Sequence, residues 1–327
     1  MSPERYAATP QMSVVLVARD GAASIEQTLS CIAAQSACHR LELLVVVPER
    51  HAAATQVAVG ARFAGARIVK VPRIESAGRA NAAGVRAASA PVVAFAEDHC
   101  FPEPGWAERL IEAHRGPWAA VGPAVGNANP GSALSWADFI IGYGPWMLPA
   151  ESREMDFLPG HNSSYKRDVL LGYGERLEEL IESETVLHWD LVARGERLYR
   201  EAGARTWHTN FSLPGPWLKA HYHNGRLFAG VRAEGMTTLK RLVYVLGSPL
   251  IPLVRLARTV RANARALREH PACLPALVAG LAVDAAGQFA GYLLGTGDAV
   301  ASAARYEFDR FEHVRPEDRP EKTGQPR

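Results

Sequence analysis

The sequence has few cysteines, and their spacing gives them no shared role. Its 327 residues include four, Cys31, Cys38, Cys100 and Cys273, without a CxxC pair or a ladder of regular spacing. This pattern excludes a disulfide-stabilised scaffold and is typical of a reducing compartment. The first six residues also lack the apolar core of a secretory signal, so we expect the globular part to face the cytoplasm.

Two further absences limit what the chain binds. With 36 Lys and Arg against 34 Asp and Glu, the net charge of +2 argues against nucleic-acid binding driven by overall charge. The turn after the first predicted strand reads Ala18-Arg19-Asp20-Gly21, which contains no GxGxxG, and no Walker A motif occurs. A nucleotide is therefore expected to bind at strand ends by an arrangement other than these two loops.

What is present is a repeated alternation of strand and helix. Apolar runs predict strands over residues 13–18, 41–47, 66–71 and 92–96. Helical spacing predicts helices over residues 25–33, 51–63 and 78–88, the first with Ser24 and Gln27 as a capping box. Strands that are apolar throughout and alternate with helices predict a parallel sheet covered by helices on both faces.

The pattern is less regular after the fourth strand. It predicts a helix over residues 106–114, a strand over 119–125 and an irregular passage over 126–156. A polar segment over residues 157–167 follows and leads into a helix near Val169. An acidic helix over 178–194 and two short strands over 197–200 and 204–208 complete this part of the chain.

Three metal-capable side chains, Glu97, Asp98 and His99, follow the fourth strand directly. Open α/β sheets place their chemistry at the carboxyl ends of strands, so this position favours a functional site. A strand that ends in a solvated acidic turn would give the same residues, and both interpretations stay open at this point.

Three other features have two interpretations each. The polar residues from Gly160 to Ser164 suit a hydroxyl-rich ligand, but they are also typical of a helix start. Glu184 lies among Ile181, Leu187 and Leu191, which would desolvate it as a general base, yet most acidic helix faces are simply solvated. His208, after Trp207, is either a ligand or a buried core histidine.

The first 210 or so residues resemble the family 2 glycosyltransferases, which have the GT-A fold. Residues 13–18 are similar to the first strand of that family, and Arg19-Asp20 stands where a tyrosine-asparagine pair is usual. The other matching segments are Gly78–Gly84, Glu97-Asp98-His99 at the Asp-x-Asp position, Pro104-Gly105-Trp106, Leu158–Ser164, Glu184 and His208.

The resemblance implies a fold, a reaction and a set of site residues. The fold class is an α/β GT-A sheet with helices on both faces, and the reaction is inverting transfer from a UDP- or GDP-linked sugar. Glu184 would be the catalytic base, and Mn²⁺ or Mg²⁺ would be held by Glu97, Asp98, His99 and His208. The implied donor-binding residues are Ala18, Arg19, Asp20, Arg79, Asn81, Glu97 and Asp98. The implied acceptor-binding residues are Gly160, His161, Asn162 and Ser163.

The sequence departs from the family pattern at four positions. The second strand ends in Pro48-Glu49, where the family usually has an aspartate that contacts the nucleotide base. Asn81 stands three residues before Gly84 instead of two, His99 replaces the last aspartate of the metal motif, and the base position reads Ser183-Glu184. A carboxylate and an imidazole together still form a suitable set of ligands for a divalent cation such as Mn²⁺.

The C-terminal third differs from the rest in composition. Residues 215–270 hold ten Lys or Arg against two acids, and Arg255, Arg258, Arg261, Arg265 and Arg268 have the spacing of one helical stripe. This pattern favours helices that lie on, or re-enter, an anionic membrane. The apolar run 242–254 is too short to span a bilayer, and the run 271–297 is long enough only if Asp284 is paired. The alternative is a soluble helical subdomain that packs on the sheet or forms a homodimer.

These features predict four regions: an N-terminal tail (1–11), a GT-A domain (12–212), a membrane-associated helical region (213–312) and a disordered tail (313–327). The protein would then be a metal-dependent glycosyltransferase at the cytoplasmic face of a bacterial-type cell membrane, with no nucleic-acid partner. Its acceptor would be a lipid-linked sugar or a precursor of a surface polysaccharide. The alternatives are a nucleotidyltransferase that forms a nucleotide sugar and an inactive, membrane-bound protein that binds one.

Overall fold

The computed structural model describes residues 9–60, 63 and 66–320. The strands are β1 (Met12–Val17), β2 (Leu41–Pro48), β3 (Ala66–Val71), β4 (Val92–Ala96), β5 (Cys100–Pro102), β6 (Ala120–Asn127), β7 (Arg153–Met155), β8 (Ser164–Lys166) and β9 (Leu198–His208). The first eight helices are α1 (Glu26–Ala33), α2 (Ala52–Gly60), α3 (Ala77–Ala87), α4 (Trp106–Ala113), α5 (Ala133–Tyr143), α6 (Arg167–Leu171), α7 (Leu177–Glu182) and α8 (Glu184–Ala193). The later helices are α9 (Pro214–Glu234), α10 (Thr238–Gly247), α11 (Ile251–Ala262), α12 (Ala264–Glu269), α13 (Leu274–Leu294) and α14 (Ala299–Phe308).

The chain divides into two compact units. Of the described residues, those up to Gly126 and Leu148–Trp207 form the first unit, and Asn127–Met147 and residues 208–320 form the second. The sheet strands lie in the first unit, apart from the last residues of β6 and β9, and most of the long helices lie in the second. The prediction of an α/β sheet followed by a C-terminal helical region is confirmed.

The described strands form one mixed sheet in the order β3-β2-β1-β4-β8-β6-β9-β5, with β7 paired to β9. Strands β1 to β4 are parallel, as predicted, but β8 runs antiparallel to β4 and to β6. The predicted parallel arrangement is therefore confirmed for β1 to β4, and the sheet is mixed beyond β4.

Every residue of β1, β2 and β4 is buried, which explains why these strands are apolar apart from Ser13 and Glu42. The Ser13 hydroxyl donates to the Glu42 carboxylate, so the two polar side chains are paired. The predicted capping box at α1 is wrong, because the helix begins at Glu26 without a side-chain cap. The Ser24 hydroxyl instead donates to the Gly21 carbonyl at 3.0 Å. Gly21 has a φ of +89°, and the tight turn that it makes brings its carbonyl back towards Ser24.

Three predicted elements differ from the structure. Residues 126–156, expected to be irregular, contain α5, whose N-cap Ser132 accepts a hydrogen bond from the Ser135 backbone at 3.2 Å. This capped start was hidden by the Gly, Pro and Trp residues around it. The acidic helix is split at Ser183 into α7 and α8, and the two short strands after it are one strand, β9.

In the second unit, α9 and α13 pack at backbone distance. A Cβ atom on Gly287 would collide with the Tyr222 carbonyl, and one on Gly291 would collide with the Arg226 carbonyl. Small residues that let two helix backbones approach in this way are typical of membrane helix pairs, although they also occur in water-soluble proteins. The close packing of α9 and α13 therefore explains why both positions are glycine.

Asp284, the acidic residue within the second apolar run, has partners. Its carboxylate accepts from the Arg255 guanidinium and from Gln288 Nε2, the latter at 2.6 Å. Arg255 therefore does not belong to an outward-facing stripe, and α11 ends at Ala262, before the Asn263 break. The predicted single stripe of five arginines is wrong for these reasons, but Arg258, Arg261 and others remain exposed.

By length and composition, two helical runs of the described residues are apolar enough to cross a membrane. They are Thr238–Ala262, of which 6% is buried, and Pro271–Leu294, of which 44% is buried. The first run is longer than the apolar stretch 242–254, which by itself is too short to span a bilayer. The added length arises because a short 3₁₀ turn joins α10 to α11.

Candidate active site

The loop after β4 carries three buried polar side chains. Glu97, Asp98 and His99 all have less than a tenth of their surface exposed. The Thr28 hydroxyl donates to the Glu97 carbonyl at 2.7 Å and so ties this loop to α1. His99 Nδ1 lies 2.7 Å from Asp98 Oδ1, and its Nε2 lies 3.7 Å from Glu97 Oε2. An acidic turn in solvent is therefore excluded.

His161 lies beside this group. Its Nδ1 lies within hydrogen-bond distance of the Glu97 carboxylate and is 3.9 Å from Glu184 Oε1. One ring nitrogen is thus close to both the predicted metal-binding carboxylate and the predicted base. The sequence resemblance implies only an acceptor-binding role for His161. The spacing of the residues does not predict its contact with Glu97.

Glu184 is the first residue of α8, where the positive end of the helix dipole favours a carboxylate anion. A Cβ atom on Gly160 would collide with the Glu184 carboxylate carbon. The absence of a side chain at Gly160 therefore leaves the space that the Glu184 carboxylate occupies beside the polar loop.

The loop from Leu158 to Ser163 is held on several sides. Trp106 Nε1 donates to the Asn162 carbonyl at 3.0 Å, and the Phe95 backbone donates to the Ser163 carbonyl at 3.1 Å. Asn162 has a φ of +57°, a conformation that asparagine tolerates better than most residues. Its side-chain amide is fully buried and has no hydrogen-bond partner within the described part of the chain. That amide suits a ligand hydroxyl or a bound water.

Glu182 is a partly buried carboxylate whose role had no signal in the sequence pattern. It accepts from the Ser76 hydroxyl and from the Gly78 backbone N–H, the latter at 2.7 Å, at the start of α3. Burial raises the pKa of Glu182, and the nearby Glu184 carboxylate acts in the same direction, while the two hydrogen bonds oppose them. Glu182 therefore fastens the end of α7 to α3, two residues before Glu184.

His188 lies one helical turn after Glu184 and is fully buried. Its Nε2 is 2.8 Å from the Tyr165 hydroxyl, and its Nδ1 accepts from the Leu158 backbone at 3.4 Å. Burial lowers the pKa of His188 to about 3, so the ring is neutral. It anchors α8 to the polar loop, and the spacing of four from Glu184 was the signal that it shares that face.

The predicted donor-binding residues lie in different surroundings. The Ala18 backbone donates to the Val46 carbonyl at 2.8 Å, and Arg19 pairs with Asp20 at 3.9 Å at the end of β1. Arg79 is mostly exposed and lies 3.7 Å from Glu178. Asn81 is buried, and its Oδ1 has no hydrogen-bond partner among the described residues.

His208 is the last residue of β9 and belongs to the second unit. It is buried, its Nδ1 is 2.9 Å from Asn210 Oδ1, and its ring centroid is 4.3 Å from that of Tyr143. Burial lowers the pKa of His208 to about 3, and the Arg310 cation adds to this effect. The imidazole is therefore neutral, which is the state that a metal ligand requires.

The donor atoms of the first unit fit a divalent cation. Ligand atoms of Glu97 and His99 lie within 4.8 Å of each other, and those of Glu97 and His161 do likewise. Carboxylate oxygens suit Mg²⁺ and Mn²⁺, and imidazole nitrogens extend the choice towards transition metals. The chemistry of this set therefore agrees with a metal site at Glu97.

The similarity of this chain to known proteins rests on a match to one family model. No curated protein matches the chain. One similar solved structure is the crystal structure of GalNAc-T7 with UDP, GalNAc and Mn²⁺, at 13% identity and a TM-score of 0.48, over 62% of this chain and 43% of that chain. This chain thus spans less than half the length of that structure. Residues 13–174 match the model of glycosyl transferase family 2, so the resemblance is confirmed over that part of the chain.

Proposed function

We propose that the protein is an inverting glycosyltransferase that moves a sugar from a nucleotide-diphospho-sugar to a hydroxyl acceptor. The observation that carries the proposal is that His161 Nδ1 lies close to both Glu97 and Glu184 in one unit. A metal-capable carboxylate and a candidate base thus lie near one ring nitrogen. Leaving-group stabilisation and proton removal are the two tasks that this transfer requires.

In the proposed reaction, Glu184 takes the proton of the acceptor hydroxyl. The hydroxyl oxygen bonds to the anomeric carbon while the bond from that carbon to the diphosphate oxygen breaks, which inverts the anomeric centre. A divalent cation held by Glu97, Asp98 and His99, with His208 as the further ligand that the family pattern implies, would supply Lewis-acid stabilisation of the diphosphate. Asn162 and Ser163 would orient the acceptor, and the end of β1 and Asn81 would contact the donor.

The proposal extends to the donor, the acceptor and the membrane association of the protein. The donor is UDP- or GDP-linked, and the acceptor is lipid-linked or a precursor of a surface polysaccharide. The exposed leucines of α10, α11 and the 3₁₀ turn between them, including Leu246 and Leu250, support association with an anionic membrane at its cytoplasmic face. The exposed Arg258 and Arg261 support it as well. The regions 12–212 and 213–312 would then be the transferase domain and the membrane-associated part.

A donor screen tests the proposal. UDP- and GDP-sugars are incubated with the wild-type protein with and without Mn²⁺, and nucleotide release is measured. We expect metal-dependent release of one nucleotide, and a loss of about 10²- to 10⁴-fold in Glu184→Gln while donor binding persists. Glu175→Gln, a change at an exposed residue, is the matched control and should keep the wild-type rate.

Two outcomes would contradict the proposal. Binding of a nucleotide sugar without any release, unaffected by Glu184→Gln, would indicate an inactive binding protein. Release of pyrophosphate from a nucleoside triphosphate and a sugar 1-phosphate would indicate a nucleotidyltransferase instead.

A further inference from the structure

A chain of hydrogen bonds in the second unit fixes which nitrogen of His208 carries the proton. The Asn129 backbone N–H donates to Asn127 Oδ1 at 3.0 Å, and because a backbone N–H only donates, that atom must be the amide oxygen. The Asn210 atom 2.9 Å from the same oxygen must then be the amide nitrogen, Nδ2. The other end of the Asn210 amide is therefore its oxygen, and this oxygen accepts from His208 Nδ1 at 2.9 Å.

The Asn210 amide has little freedom to turn. The Asn129 side chain accepts from the Asn210 backbone N–H at 2.8 Å and donates to the Asn210 carbonyl at 2.8 Å. The Ser135 hydroxyl lies within hydrogen-bond distance of both Asn127 Oδ1 and Asn129 Oδ1. All four side chains are buried, so reversing the Asn210 amide would leave polar groups mismatched inside the protein.

We propose that Asn210 is a positioning residue that makes Nε2 the metal-binding atom of His208. This inference rests on the proposed function, in which His208 is a ligand. A neutral imidazole that is protonated at Nδ1 carries its lone pair on Nε2, and this lone pair is what a metal ion accepts. A carbonyl oxygen on the opposite ring nitrogen also fixes the orientation of the ring and increases the basicity of the ligand atom.

The tautomer is tested on the full chain without metal. Nitrogen-15 spectra of histidine-labelled protein distinguish a protonated from an unprotonated ring nitrogen, and the His208→Ala variant assigns the His208 signals. We expect His208 to be protonated at Nδ1 in the wild type. In Asn210→Ala the acceptor is gone, and we expect the two tautomers to mix. In Asn129→Ala the acceptor remains, and the wild-type tautomer should persist.

The effect on metal binding is measured separately, by titrating Mn²⁺ in the presence of UDP and following the free ion by electron paramagnetic resonance. We expect Asn210→Ala to weaken Mn²⁺ binding by about 10- to 100-fold. Asn129→Ala disturbs the same buried network but keeps the Asn210 side-chain oxygen that faces Nδ1, so it should weaken binding much less than Asn210→Ala.

The outcomes separate the two proposals. A wild-type His208 protonated at Nε2, with Mn²⁺ binding that still depends on His208, would overturn the role of Asn210 and leave the proposed function intact. Equal Mn²⁺ affinity in the wild type and in His208→Ala would overturn the ligand role of His208, on which the inference rests. Equal losses in Asn210→Ala and Asn129→Ala would show a structural role only and would also overturn the proposal.

Discussion

Three strands of the sheet-containing unit bury their apolar side chains, whereas two helices of the helical unit expose theirs. In the first unit, every residue of β1, β2 and β4 is buried, and the polar side chains follow the strand ends. In the second unit, α10 and α11 contain no buried residue, and Leu239 and Leu246 are 74% and 72% exposed. An apolar run therefore marks the core at β1, β2 and β4 and an exposed surface at α10 and α11.

The two units also use close backbone approaches differently. In the first unit, Gly160 makes room for the carboxylate of Glu184, which is a polar group of the candidate site. In the second unit, Gly287 and Gly291 make room for carbonyls of α9, which is helix packing. We therefore expect a side chain added at Gly160 to affect the reaction, and one added at Gly287 to affect stability.

Among the glycine contacts of the two units, the largest expected effect on the reaction is that of Gly160→Ala. Its Cβ atom would displace the Glu184 carboxylate, and a displacement of about 1 Å in a reacting group costs on the order of 100-fold in rate. We expect kcat/KM for sugar transfer to fall by about that factor. Gly142→Ala is the matched control, because a Cβ atom there meets nothing within 4 Å. A Gly160→Ala enzyme with wild-type kcat/KM would show that Glu184 is not held by this contact.

A smaller effect is expected on membrane association when the outward apolar surface becomes acidic. The double variant Leu246→Asp/Leu250→Asp should bind vesicles with anionic headgroups at least about tenfold more weakly, since burying one leucine is worth about 1.5–3 kcal/mol. Flotation with such vesicles measures this. Val57→Asp changes an equally exposed apolar residue in the first unit and should bind as the wild type does. Equal binding by both variants would mean that α10 and α11 do not face lipid.

The sequence predicted the parts of this structure that depend on local pattern. Apolar runs that end in charged residues predict the buried strands β1, β2 and β4. They also predict the polar cluster after β4. The contact of His161 with Glu97 was not predictable in the same way, because it joins residues from separate loops. The break at Asn263 was also missed, since the arginine spacing continues across it while the Asn263 side chain donates to the Thr259 carbonyl at 3.0 Å.

A third effect concerns stability in acid and tests how firmly the first unit holds α8. Burial lowers the pKa of His188 to about 3, below its ordinary value near 6.5, so the unfolded chain binds more protons between these limits. As the pH falls through this window, each pH unit should remove about 1.4 kcal/mol of unfolding free energy. Urea denaturation at several pH values measures the slope.

His188→Gln should flatten that slope, because the group that takes up the proton on unfolding is gone. His39→Gln changes an exposed histidine and should leave the slope unchanged. The His188→Gln protein should also be less stable near neutral pH, since the Tyr165 hydroxyl and the Leu158 backbone lose their buried partner. If the wild type and His188→Gln gave the same slope, His188 would not be a neutral, buried anchor of α8, and the position of Glu184 would depend on Glu182 and Gly160 alone.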